Sequence, residues 1–142
     1  SAAKERQSVS EVGEFRKKFW SRYLEKYPDE VPSGPANANS NRWRTVPESD
    51  LIVSSYIAKR SVGLFVRGHR GVDRKEVGDQ LEPFMEELIR KTEGRISSDG
   101  SIGSFWRIDT SNESNWEDMA DWLYQKSSIY ANALSEMGQE GD

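Results

Sequence analysis

The chain has 142 residues, with five Trp, five Tyr, five Phe and no Cys, and its 24 acidic and 20 basic side chains leave a net charge of −4. This length suits one domain, 1–142, and the aromatic residues supply buried area that a hydrophobic content of 35% would not suggest. The missing Cys excludes disulfides and thiolate metal sites, and the acidic balance argues against a general affinity for phosphate backbones while leaving room for a local basic patch.

No apolar run approaches the roughly 20 residues of a membrane-spanning helix, and the first residues lack the apolar core of a signal peptide. A soluble, cytoplasmic protein with no membrane partner and no cofactor is the expectation. Ser1-Ala2-Ala3 reads as a remnant of tag removal or a domain boundary, in which case a longer natural protein is expected.

In chain order, Val12, Phe15, Phe19, Tyr23 and Tyr27 recur every three or four residues, which predicts an amphipathic helix over about 9–27. Ser8 and Glu11 have capping-box spacing, and Pro28 ends the helix. Residues 1–8 and 138–142 read as flexible ends. The stretch 28–41, rich in Pro, Asn and Ser, reads as a long loop.

Three strands follow at Arg42–Val46, Leu51–Ala58 and Val62–Gly68, the last two forming an antiparallel hairpin around Lys59-Arg60-Ser61. Val77, Leu81, Phe84, Leu88 and Ile89 mark a second helix over 73–92, which Pro83 should kink or restart before Gly94 stops it. Asp99-Gly100 turns into a fourth strand, Ser101–Asp109, and Trp116, Met119, Leu123, Tyr130, Ala133 and Met137 line one side of a third helix over 115–136. The fold class is therefore α+β: an N-terminal helix, a small, mainly antiparallel four-stranded sheet and two further helices, in the order α-β-β-β-α-β-α.

Phe19-Trp20, the isolated Trp43, the helix from Phe84 to Ile89, the Trp106 strand and Trp116 through Trp122-Leu123 together resemble an uncharacterised prokaryotic domain family. Its members stand alone or lie C-terminal to PD-(D/E)XK nuclease-like segments. The resemblance spans about residues 14–137. It implies a bacterial nucleic-acid-processing or defence context and no particular activity.

The order helix, three strands, helix, strand is also that of the PD-(D/E)XK nuclease core, which needs an Asp near the second strand and a Glu-x-Lys on the third to hold Mg²⁺ and stabilise charge on the attacked phosphate. Asp50 suits the first role. Gly63-Leu64-Phe65-Val66-Arg67 contains no carboxylate, so the second is empty, and no catalytic residue or metal ligand is assigned. His69 reads as an exposed turn residue, and the acidic group Glu113, Glu117, Asp118 and Asp121 as a solvated helix start.

The sharper pattern is Phe65-x-Arg67 on the third strand and Phe105-x-Arg107 on the fourth. Alternation puts each Phe on the same face as its Arg, with Leu64, Val66, Trp106 and Ile108 on the other. Arg42, Arg44, Lys59, Arg60, His69, Arg70 and Arg74 lie near in sequence. Such a surface suits the stacking of bases and the holding of phosphates, or an acidic protein segment. The competing arrangement, which the sequence favours, has a helix covering this face and burying both phenylalanines. The leading functional expectation is a non-enzymatic module that binds nucleic acid or a protein partner. The alternatives are a divergent metal-dependent nuclease and a protein that self-associates through exposed Trp20, Trp43 or Trp122.

Overall fold

The computed structural model describes the backbone of residues 2–34 and 36–140 and the side chains of 11–30, 34 and 36–138. Helix α1 spans Ala2–Lys26. It starts earlier than the apolar stripe suggests because residues 2–7 (AAKERQ) are mostly strong helix formers, so Ser8 is a helix-interior residue rather than a cap. Part of the expected loop is ordered as well: Pro28–Ser33 form a 3-10 helix, held through a hydrogen bond of 2.9 Å that the Tyr23 hydroxyl donates to buried Glu30.

Strands β1 (Asn41–Thr45), β2 (Leu51–Ile57) and β3 (Ser61–Gly68) form an antiparallel meander, with the β2–β3 turn closed by Ala58 N–H donating to the Ser61 carbonyl at 2.8 Å. The predicted second helix is two. Helix α2 (Arg74–Leu81), capped by Asp73, passes through a 3-10 turn at Glu82–Phe84 into α3 (Met85–Thr92), the restart expected of a proline without a backbone N–H. Glu93 takes the left-handed conformation that ends α3, ahead of Gly94.

Two short elements then complete the sheet. β4 (Arg95–Ile96) pairs with β5 (Ile102–Arg107), and β5 inserts beside β3, so the strand order is β1-β2-β3-β5-β4 with every neighbouring pair antiparallel. The sheet thus has five strands instead of four, because two residues are too few to show an alternation. Helix α4 spans Trp116–Glu140, with Glu117 and Asp118 in its first turn.

Both clusters of the core pack on one face of the sheet, while buried Ile52 lies on the other. On the first face, Val53, Leu64, Val66 and Ile102 meet Val77, Leu81 and Leu88 and the later part of α4, Tyr130 to Met137. Ile57 and Val62 meet Phe19, Trp20 and Tyr23 of α1 and the early part of α4, Trp116 to Leu123. Helix α4 therefore bridges two clusters along one apolar stripe. Among the described residues no helix is long and apolar enough to cross a membrane.

Candidate functional site

The register shows what the other face carries. Trp43, Ser54, Phe65 and Gly103 sit side by side across β1, β2, β3 and β5, and Asn41, Tyr56, Gly63 and Phe105 form the adjoining row. Thr45, Ile52 and Arg67 form the row beyond Trp43, and Ser61 and Arg107 pair at the opposite end. No helix of the two core clusters covers this face: Phe105 is 53% exposed and Trp43 and Phe65 are half-buried, although Ile52 and Ser54 of the central β2 are buried on it. The expected helix cover over Phe65 and Phe105 is thus overturned. The apolar stripes of the helices follow the strongly apolar partners Leu64, Val66, Val62 and Ile57, which leaves the mixed aromatic and cationic face uncovered.

Two glycines shape the surface. A Cβ on Gly63 would meet the Tyr56 hydroxyl at 2.4 Å, and one on Gly103 would meet the Leu64 carbonyl oxygen at 2.6 Å and Phe65 Cβ at 3.1 Å. Glycine at these positions lets the Tyr56 and Phe65 side chains lie across the sheet. Their ring centres are 6.3 Å apart. Burial raises the Tyr56 pKa, so its hydroxyl stays protonated at neutral pH.

At the β1 end of this face a groove of about 610 Å³ is lined by Arg16 of α1, by Gly34, Asn37, Asn39, Ser40 and Asn41, and by Arg42, Trp43, Phe65, Arg67, Arg70 and Arg74. Among the described residues five arginines contribute to it and no carboxylate does. The Arg67 guanidinium stacks 4.2 Å from the Trp43 ring centre and its Nε donates to the Gly68 carbonyl at 3.0 Å, while Arg70 approaches the same ring at 5.7 Å. Among the described residues no carboxylate lies within ion-pair distance of Arg16, Arg67 or Arg70; Arg74 reaches Asp99 at 3.7 Å. The groove is thus a concentration of positive charge in an acidic protein, with hydrogen-bond donors left over for an anion.

Of the residues singled out from the sequence, the groove gathers Arg42, Phe65, Arg67 and Arg70. Arg42 reaches it partly spent, donating to the Gly34 carbonyl at 2.8 Å, and partial burial lowers its pKa. Arg44 belongs to the helix face: it donates to Ser127 at 3.1 Å and Ser128 at 3.0 Å and lies 3.7 Å from Glu30, filling the seam beside α4. His69 is exposed on the turn after β3 and lines no part of the groove. Phe105 lies on the open face but borders a separate hollow with Arg95 and Lys126, and Arg107 is exposed at the far end of β5.

Sequence reasoning missed Arg16 and Trp43 as members of this site, while Arg74, expected near it, does line the groove. Alternation applied to β1 would have found Trp43, since it sets Trp43 opposite to Arg42 and Arg44. Nothing local signals Arg16, which arrives from α1. Trp20 is fully buried and donates from its indole N–H to the Asn39 carbonyl at 3.0 Å, so it offers no surface for self-association. Asp50 is exposed on the β1–β2 connection, and among the described residues no three His, Asp or Glu side chains converge to hold a metal.

The chain matches no protein-family model, no curated protein and no solved structure. The resemblance carried by the aromatic anchors gains no support from these comparisons, and the functional reading rests on the geometry of the open face.

Proposed function

We propose that this protein is a binding module for single-stranded nucleic acid, which lies across the open sheet face with bases on Trp43, Phe65, Tyr56 and Phe105 and phosphates toward the arginine groove. The observation that supports it most is the groove itself: five arginines beside an uncovered aromatic sheet, with no lining carboxylate among the described residues, in a chain of net charge −4. Aromatic faces stack on any base, and guanidiniums hold phosphate oxygens through paired N–H donors. A duplex keeps its bases stacked on one another, so this surface favours a single strand over a duplex of the same sequence.

Fluorescence anisotropy with a labelled single-stranded oligonucleotide at low salt tests the reading. Saturable binding, weakened by added salt and lost in an Arg67→Ala/Arg70→Ala variant that retains its circular dichroism spectrum, is the expected result. Absence of binding at low salt to both DNA and RNA single strands rejects it. Binding of a polyglutamate peptide in their place would reassign the face to an acidic protein segment.

A further inference from the structure

The arginine groove adjoins a second hollow. It has a volume of about 310 Å³ and lies where β3 runs on past its pairing with β5; Phe65, Arg67 and Arg74 line both spaces. Its wall is apolar where Val72, Val77 and Phe65 meet, and polar where Asp99 and Ser101 face them. Ser101 is fixed there by donating its hydroxyl to the Val66 carbonyl at 2.5 Å, and the Asp99 carboxyl is held below its ordinary pKa, chiefly by the Ser97 hydroxyl. A flat heteroaromatic ring suits such a slot, with an apolar body against Val72 and Phe65 and polar edge groups toward Asp99 and Ser101.

The charge beside this slot exceeds what an internal nucleotide needs. A phosphodiester carries one negative charge, whereas a phosphomonoester carries close to two at neutral pH and offers three acceptor oxygens. Arg16, Arg67 and Arg70 have no carboxylate within ion-pair distance among the described residues, and Arg74 is largely exposed, with only the long contact to Asp99. Asn37, Asn39 and Asn41 also line the groove, at the β1 end of the open face.

Building on the proposed single-strand binding, we infer that the groove and the slot together take a terminal nucleotide: its phosphomonoester among the arginines and its base between Phe65, Val72 and Val77. The rest of the strand then runs from this anchored end over the aromatic face toward Phe105.

Three versions of one short oligonucleotide test this by anisotropy: one phosphorylated at its 5′ end, one at its 3′ end, and one with hydroxyls at both, each labelled away from the phosphate under test. The expected result is that one phosphorylated form binds about tenfold more tightly than the hydroxyl form. Arg70→Ala should abolish that preference. Val72→Glu, which puts a carboxylate at an exposed position of the slot without touching the core, should do the same. Equal binding of all three forms overturns the terminal-nucleotide inference and leaves single-strand binding standing. Absence of binding by all three overturns both.

Discussion

The guanidinium of Arg67 rests 4.2 Å from the centre of the Trp43 ring, reaching diagonally over β2 from β3 to β1. The stack holds the charge in place while leaving the outer N–H groups to a ligand, because an aromatic face attracts a cation without consuming its hydrogen bonds. Arg70 approaches the same ring from the turn after β3, so one tryptophan helps position two of the groove's five arginines.

Trp43→Leu should therefore weaken single-strand binding more than a peripheral change does. Loss of a stacking surface costs about 1–3 kcal/mol per base, or roughly a fivefold to 150-fold rise in Kd. Arg107→Ala, at the far end of the face, should change Kd by less than about threefold. Titrations of the two variants at one salt concentration compare them directly. Equal losses would contradict the central place given to the β1 end.

Salt dependence reports how many phosphates are neutralised. For a single strand, log K should fall against log salt with a slope of about −0.7 per phosphate contacted, so three or four contacts give roughly −2 to −3. Arg70→Ala should make the slope shallower by about 0.7, because its guanidinium does not hold the fold together through any ion pair. An unchanged slope would place Arg70 outside the phosphate path.

Glu30 serves stability and not the binding face. It accepts from the Tyr23 hydroxyl at 2.9 Å and lies 3.7 Å from Arg44 in a buried setting, and both neighbours push the Tyr23 pKa in opposite directions, Glu30 upward and Arg44 downward, beneath a larger rise from burial. Glu30→Ala leaves the buried Tyr23 hydroxyl without its acceptor and Arg44 without its counter-charge, which should cost about 2–3 kcal/mol in urea unfolding. Oligonucleotide affinity of the folded protein should stay within about twofold.

Asp121 and Tyr27 give the α1–α4 contact a pH signature. Hydrogen bonds from Lys26 and then Tyr27 hold the Asp121 carboxyl below its ordinary value of 3.8, so this contribution to stability is present above about pH 4 and fades as pH falls through the depressed value. The Tyr27 hydroxyl is pushed from 10.0 up to about 12, by burial first and by Asp121 second, so stability is lost as pH rises from about 10 through 12, where the unfolded chain ionises before the folded one. Asp121→Asn should flatten the acid limb of a plot of Tm against pH, and Tyr27→Phe should raise Tm relative to wild type more at pH 11 than at pH 8.

Strong local patterns made most of the elements legible in the sequence. The stripe through Phe19, Tyr23, Leu123 and Tyr130, the turn at Lys59-Arg60 and the break at Pro83 each follow from the spacing or backbone chemistry of a few neighbouring residues. The same-face pairing of Phe65 with Arg67 and of Phe105 with Arg107 was readable from the pleat alone. The two-residue strand at Arg95–Ile96 was not, since it exists only as a partner of β5.

Which face the helices cover was decided only in three dimensions. Phe65 and Phe105 look like core residues in the sequence, and a helix over them would have buried them; instead, Leu64, Val66, Val62 and Ile57 on the reverse face offer a larger, fully apolar partner for α1 and α4. The groove is likewise a tertiary product. Arg16, Trp43, Arg67 and Arg74 come from two helices and two strands far apart in the chain, and it is the sheet register and the packing of α1 that bring them to one place. Local periodicity determines which side of its own element each residue occupies, but only the competition among all faces for burial determines which of those sides meets solvent.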